Sequence, residues 1–243
     1  METVASIPVT LDLGEIAPRL RFDPGRAGFD SLADLVALAQ GLLEPRAIYE
    51  VAYTGAKGEG TIDIAGITFR SSVLRKNLDA AHKVFPYIIT VGPRLERTAA
   101  AQGDLLKQYY LEEMANIALE VAAAWLSDRI EKSTGVTGLA NLSPGSLVDW
   151  PITEQAQLFS IFGDTERLVG VRLTESLLMV PRKSISGILF PSEEGFVACQ
   201  LCDRERCPSR KATYLGKEHS RLARPQIKLS WPRKRGQRGQ EES

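Results

Sequence analysis

A chain of 243 residues, 44% of them hydrophobic and with formal charges that cancel, is long enough to bury a real core, so a soluble globular protein is expected rather than a fibrous or disordered one. Glu113, Glu120 and Asp128 interrupt the most apolar stretch, leaving no run of about 18 apolar residues to span a membrane, and Met1-Glu2-Thr3-Val4 lacks the basic start of a secretory signal, so a cytoplasmic location is expected. The zero net charge hides an imbalance, because from Arg204 onward twelve Lys and Arg face four acids, giving a tail of about +8 on a body of about −8. Beyond Trp231 that tail has little aromatic interleaving, so nucleic acid is not the expected partner.

In chain order, alternation of Val4, Ile7, Val9 and Leu11 predicts a first strand over residues 3–12. A Pro24- and Gly-containing loop follows, and Asp30 or Ser31 can cap a helix whose stripe of Leu32, Leu35, Val36, Leu38 and Leu42-Leu43 is stopped by Pro45. Strands are predicted over 47–53, 61–64 and 67–69, with Gly55, Gly58, Gly60 and Gly66 supplying the turns. Ser71 or Ser72 can cap a helix over 73–82, and Pro86 to Gly92 is a short apolar strand. From Asp104 to Lys132, Leu106, Tyr110, Met114, Ile117, Val121, Trp125 and Ile130 recur at helical spacing, predicting a helix about 40 Å long. His82 reads as a surface histidine.

After Gly135 the chain becomes dense in turn and strand signals. Leu142-Ser143-Pro144-Gly145-Ser146 is a tight turn, since proline fixes one dihedral and glycine permits positive φ. Thr153 is expected to cap a helix running to about Phe162, and strands are expected at 169–173, 177–180, 184–190 and 195–199. Strands and helices mix without regular βαβ alternation, which favours an α+β fold with a mainly antiparallel sheet flanked by helices.

The series Leu142-Ser-Pro-Gly-Ser, Thr153-Glu154, Leu173-Thr174-Glu175-Ser176 and Met179-x-Pro181-x-x-Ser184-x-Ser186-Gly187 resembles the activation domain of vitamin B12-dependent methionine synthase. The resemblance extends more weakly over most of residues 30–198. It implies a helmet-like α+β domain with a twisted sheet, which binds S-adenosylmethionine and sits over the corrinoid while cob(II)alamin is reductively remethylated. It also implies a ligand-binding set of Glu120, Asn141, Pro144, Gly145, Ser146 and Glu175. Two positions depart from the family pattern: Asn141 stands where the family has an arginine that grips the ligand carboxylate, and Ser146 stands where it has a tyrosine. Homocysteine, folate and corrinoid domains are missing, so the partner implied is a separate corrinoid protein or cobalamin-dependent methyltransferase, served by an electron donor.

All three cysteines, Cys199, Cys202 and Cys207, fall within nine residues, which argues for metal or redox chemistry rather than a disulfide framework. Three thiolates can hold three positions of an iron–sulfur cluster, with Arg204, Arg206, Arg210 and Lys211 favouring the thiolate form. Zinc is the alternative, with His219 as fourth ligand. The expected organisation is therefore an activation-domain-like body over 1–198, a cysteine-rich segment over 199–224 and a basic, disordered tail over 225–243. Two functions compete: an accessory protein for reductive activation carrying a redox cluster, and a non-redox S-adenosylmethionine- or corrinoid-protein-binding module with structural zinc.

Overall fold

A computed structural model of the chain describes residues 1–22, 29–192, 198–202, 204, 206–207, 210 and 212–215. His219 and the tail beyond 225 lie outside the described residues, as do Pro24 and residues 195–197.

The sheet is built around β6 (Lys83–Thr90), which is buried along nearly its whole length. On one side lies β10 (Ser184–Pro191), which in turn pairs with β7 (Leu139–Leu142). On its other side β6 pairs with β2 (Arg46–Tyr49) through Tyr87–Thr90 and with β3 (Ala52–Lys57) through Lys83-Val84. The strand β1 (Glu2–Val4) extends the sheet beyond β2, and β4 (Thr61–Ile64) with β5 (Ile67–Arg70) extends it beyond β3. Among the described residues every pairing is antiparallel, in line with the mainly antiparallel sheet expected. A separate two-stranded ribbon joins β8 (Arg172–Leu173) to β9 (Met179–Val180).

Because strand side chains alternate between faces, neighbouring residues feed different cores. Tyr49, Phe85, Tyr87, Ile89 and Leu189 join the largest cluster, under α2 (Phe29–Leu42), α4 (Arg94–Ala100) and α5 (Leu105–Thr134). Ile48 and Ile88 face the other way, onto Phe159 of α6 (Gln155–Ser160), Phe162, Val169 of α7 (Thr165–Val169) and Val171. Ile188 and Phe190 join a third group with Ile62, Phe69, Trp150, Leu158 and Leu74 of α3 (Ser72–Asn77).

Several expectations change at this level. Residues 3–12 are not one strand: β1 ends at Val4, and Asp12 then accepts from the Glu15 amide to cap α1 (Leu13–Arg19). Ile7, Val9 and Leu11 are buried outside any assigned strand, their segment held by the Ile7 amide donating to the Pro45 carbonyl and by Gln40, which accepts from the Leu11 amide and donates to the Val9 carbonyl, so burial rather than strand pairing explains their alternation. The second helix starts at Phe29, so Asp30 and Ser31 lie inside it. Ser71 does cap α3, accepting from Leu74 at 2.9 Å. Thr153 is not a cap; it sits within the 3-10 turn Ile152–Glu154 that leads directly into α6. Cys199 ends no strand, but lies on a 3-10 turn, Ala198–Gln200.

The long helix runs from Leu105 to Thr134, about 45 Å at 1.5 Å per residue. Asp104 caps it through the amides of Leu106 and Lys107, and Gly135 ends it at φ 69°, a left-handed conformation suited to glycine.

Candidate functional site

Residues 139–155 form an irregular ledge whose position is set by a few side chains. As β7 leaves the sheet, Ser143 turns the chain: its carbonyl accepts from the Ser146 amide at 3.1 Å and from the Ser146 hydroxyl at 2.5 Å. Gly145, at φ 78°, donates its amide to the Trp150 carbonyl at 2.7 Å, closing the loop on itself. Pro144 is buried, whereas Gly145, Ser146 and Val148 are exposed, the last at 91%.

Two carboxylates tie this ledge to the β5–α3 corner. Asp149 accepts from the Ser71 hydroxyl at 2.6 Å and the Val73 amide at 2.8 Å, and buried Glu154 accepts from the Arg70 amide at 2.8 Å. Asp149 thus shares with Ser71 the task of satisfying the first-turn amides of α3.

Behind the ledge, three strands converge on a close backbone approach. A Cβ at Gly187 would lie 2.5 Å from the Leu142 carbonyl and 2.8 Å from both Asn141 Oδ1 and Ser143 Oγ. Only glycine leaves room for this polar cluster. The buried Tyr87 hydroxyl donates to Asn141 Oδ1 at 3.0 Å, and Asn141 Nδ2 reaches Ser143 Oγ at 3.4 Å. Burial pushes the Tyr87 phenol up to about 12, against the opposing pull of its hydrogen bonds with Ser143 and Asn141. The phenol is therefore a neutral donor at physiological pH.

The remaining motif residues hold the frame. Thr174 exchanges backbone bonds with the Leu178 turn and accepts its amide at the side chain, 3.1 Å away. Buried Gln155 donates to the Leu177 carbonyl at 2.9 Å and accepts from Ser186 at 3.4 Å, joining α6 to the β8–β9 connection and to β10. Ser184 donates to the Pro181 carbonyl at 2.7 Å and to Thr90 at 2.9 Å. Beside it, Lys183 and Arg182 reach Glu112 on α5 at 2.7 and 2.8 Å, and Arg182 also meets Glu96 on α4 at 2.8 Å. Burial opposes ionisation of Glu112, but the hydrogen bonds from Lys183 and Arg182 outweigh it and hold the carboxyl below its ordinary range.

Asn141, Pro144, Gly145 and Ser146 therefore stand together on the ledge. Glu120 instead pairs its two oxygens with Arg19 of α1 at 3.1 and 3.2 Å, and Glu175 is exposed in the β8–β9 connection. Among the described residues neither glutamate is bonded to the 141–146 turn. Tyr87, Ser143, Asp149 and Gly187 are the partners that give the ledge its shape. Of these, Gly187 is signalled by its motif, whereas nothing local marks Tyr87 as more than an apolar strand residue.

Cys199, Cys202 and Cys207 are half-buried and outside any disulfide. Leu201 and Cys202 pack against the core group that contains Trp150. Among the described residues no three His, Cys, Asp or Glu side chains are spaced to hold a metal ion, and no described helix is long and apolar enough to cross a membrane.

The antiparallel sheet with its flanking helices and turn-built ledge defines an α+β domain. Residues 144–207 match the family described as the activation domain of vitamin B12-dependent methionine synthase, so the resemblance read from the sequence is borne out by an independent comparison. In fold the chain is similar to the MetH reactivation domain, whose crystal structure was determined bound to AdoHcy, with a TM-score of 0.56 at 19% identity. The match covers 74% of this chain and 66% of that one. No curated protein sequence matches the chain significantly.

Proposed function

We propose that this protein supports the reductive activation of a separate cobalamin-dependent methyltransferase, binding S-adenosylmethionine at the 141–146 ledge. The observation that carries the reading is the family match over 144–207, which begins at the Pro144-Gly145 turn and takes in β8, β9 and β10. The similar reactivation domain bound to AdoHcy supports the ligand class. In this reading the corrinoid belongs to the partner, and an external one-electron donor completes the reaction.

The residues present fit a ligand that lies along exposed backbone. At Gly145 and Ser146 the main chain is open to solvent, and Asn141 offers an amide that is already oriented by Tyr87. What the ledge lacks is a guanidinium at position 141. Asparagine cannot supply the bidentate charge-assisted contact that an arginine gives a carboxylate, a loss of about 1.5–3 kcal/mol or roughly one to two powers of ten in affinity. Binding in the micromolar to millimolar range is accordingly expected.

Isothermal calorimetry with S-adenosylmethionine and with its demethylated product tests the ligand. Saturable heat that Gly145→Val abolishes, with the fold retained, supports the assignment. A flat titration at millimolar ligand contradicts it.

A further inference from the structure

Tyr87 and Asn141 sit on strands that are not neighbours. β10 runs between β6 and β7, so about 10 Å of sheet separates their backbones at the usual strand spacing. Gly187 of β10 stands opposite Tyr87 in the register, and residues paired across an antiparallel ladder share a face. The absence of a side chain at Gly187 leaves a lane across β10, through which the phenol donates to Asn141 Oδ1 at 3.0 Å.

Three side chains close a ring there. Tyr87 has one hydroxyl hydrogen and gives it to Asn141, and Asn141 Nδ2 donates to Ser143 Oγ at 3.4 Å. Ser143 also bonds the phenol, and since the phenol's own hydrogen is taken, Ser143 supplies the hydrogen of that bond. The members of the ring are unequal. The Asn141–Ser143 contact is longer than an ordinary N–H···O bond, and among the described residues it is the only one made by Nδ2. The half-buried carboxamide therefore keeps most of its donor capacity, while its oxygen is held by Tyr87. Because the phenol stays protonated throughout the physiological range, this polarity does not reverse with pH.

We propose that Tyr87 is a positioning residue for ligand binding: it holds the Asn141 oxygen toward β6, so that the start of the ledge presents a fixed, uncharged N–H donor. The inference rests on the reading that S-adenosylmethionine binds at the 141–146 ledge, and it adds what that site can distinguish. A guanidinium at position 141 would recognise a carboxylate through charge as well as geometry. A neutral amide pairs with any acceptor oxygen, so the site reads the oxygen of the ligand's carboxyl group and not its charge. An ester in the same place is accepted about as well as the acid. Without the phenol the carboxamide is free to turn its own oxygen outward, where it opposes a carboxylate.

AdoHcy and its carboxyl methyl ester are titrated calorimetrically into the full chain, Tyr87→Phe, Asn141→Ala and the double variant, each shown to be folded by near-ultraviolet circular dichroism, in enough salt to screen the acidic body. The wild type is expected to bind acid and ester within about threefold of each other, as for a neutral donor. Tyr87→Phe is expected to weaken AdoHcy roughly five- to tenfold, the worth of one aligned neutral hydrogen bond. In the Asn141→Ala background the same change costs less than about twofold, because the phenol acts through Asn141. A merely structural tyrosine costs the same in both backgrounds, and that result overturns the positioning role. An ester bound more than about tenfold more weakly than the acid overturns the neutral-donor assignment, since only a charged partner discriminates so strongly. The Asn141 side-chain amide resonance of the wild type gives a readout that needs no variant: saturating AdoHcy shifts it, and an unmoved resonance overturns the donor. A wild type that binds neither ligand overturns the ledge reading together with this inference, whereas saturable wild-type binding without the Tyr87–Asn141 coupling overturns this inference alone.

Discussion

At residue scale, the ledge depends on one missing methyl group and one neutral phenol. Gly187→Ala brings a Cβ to within 2.5 Å of the Leu142 carbonyl, a backbone atom that cannot swing aside. A loss of about 2–3 kcal/mol in urea unfolding is expected, at the upper end of overpacking penalties because the contact is backbone rather than side chain. Tyr87→Phe removes the phenol that donates to Asn141 Oδ1 and should lower stability by about 1–2 kcal/mol. The phenol also sets a pH dependence. Its folded pKa of about 12 lies above the ordinary 10, so its contribution is fully present below pH 10 and is lost as the pH rises toward 12. Urea midpoints for the wild type should therefore fall between these limits, and fall less steeply in Tyr87→Phe.

Among elements, the consequential joints are those that carry the ledge to α3 and the β9–β10 connection to α4 and α5. Asp149→Ala leaves the Ser71 hydroxyl and the Val73 amide without their acceptor and should cost about 2 kcal/mol, with loosening confined to the ledge and the start of α3. Amide exchange would reveal it as faster exchange at Val73 and Leu74. Glu112→Gln breaks the meeting of Arg182, Lys183 and α5, for about 1–2 kcal/mol at neutral pH after allowing for solvent screening. Since the folded carboxyl titrates below its ordinary 4.5, that contribution is present above pH 4.5 and disappears as the pH falls through the lowered value. The stability gap between wild type and variant should close on acidification, and a gap unchanged down to pH 3 would contradict the assignment.

The elements also explain what could be read before the structure. The strands β4 and β5 and the cap at Ser71 follow from local turn and capping chemistry, and they appear where expected. The short helices α1, α4 and α7 have no long apolar stripe, so periodicity could not reveal them. In α5 the buried face runs through Ala115, Ala118 and Ala122, while Leu105 and Leu106 are exposed. Of the predicted stripe, Met114, Ile117 and Ile130 are buried on that face and Tyr110, Val121 and Trp125 pack against the core, while the alanines between them allow close approach. Of the candidate site, the Pro144-Gly145 turn was legible because turns demand particular residues, and Gly187, which lies within β10, only through its motif. The Tyr87–Asn141 bond was not, because it joins strands that are 54 positions apart.

For the whole molecule, the motif positions serve mainly to hold three strands, a ribbon and a ledge in one arrangement. Thr174, Gln155, Ser184 and Ser186 all spend their polar atoms on the frame. The chain is thus a scaffold that presents the 141–150 turn on one side and the cysteine loop on a core group shared with Trp150. The first of these is where the proposed activation role places its ligand.

The most direct test supplies a methionine synthase that lacks its own activation domain, with its cobalamin trapped as cob(II)alamin, with S-adenosylmethionine, a low-potential electron donor and this protein under anaerobic conditions. Formation of methylcobalamin that depends on the added chain, followed in the visible spectrum, is the predicted result. An unchanged cob(II)alamin spectrum in the presence of folded, ligand-competent protein and of several corrinoid methyltransferases in turn would contradict the account.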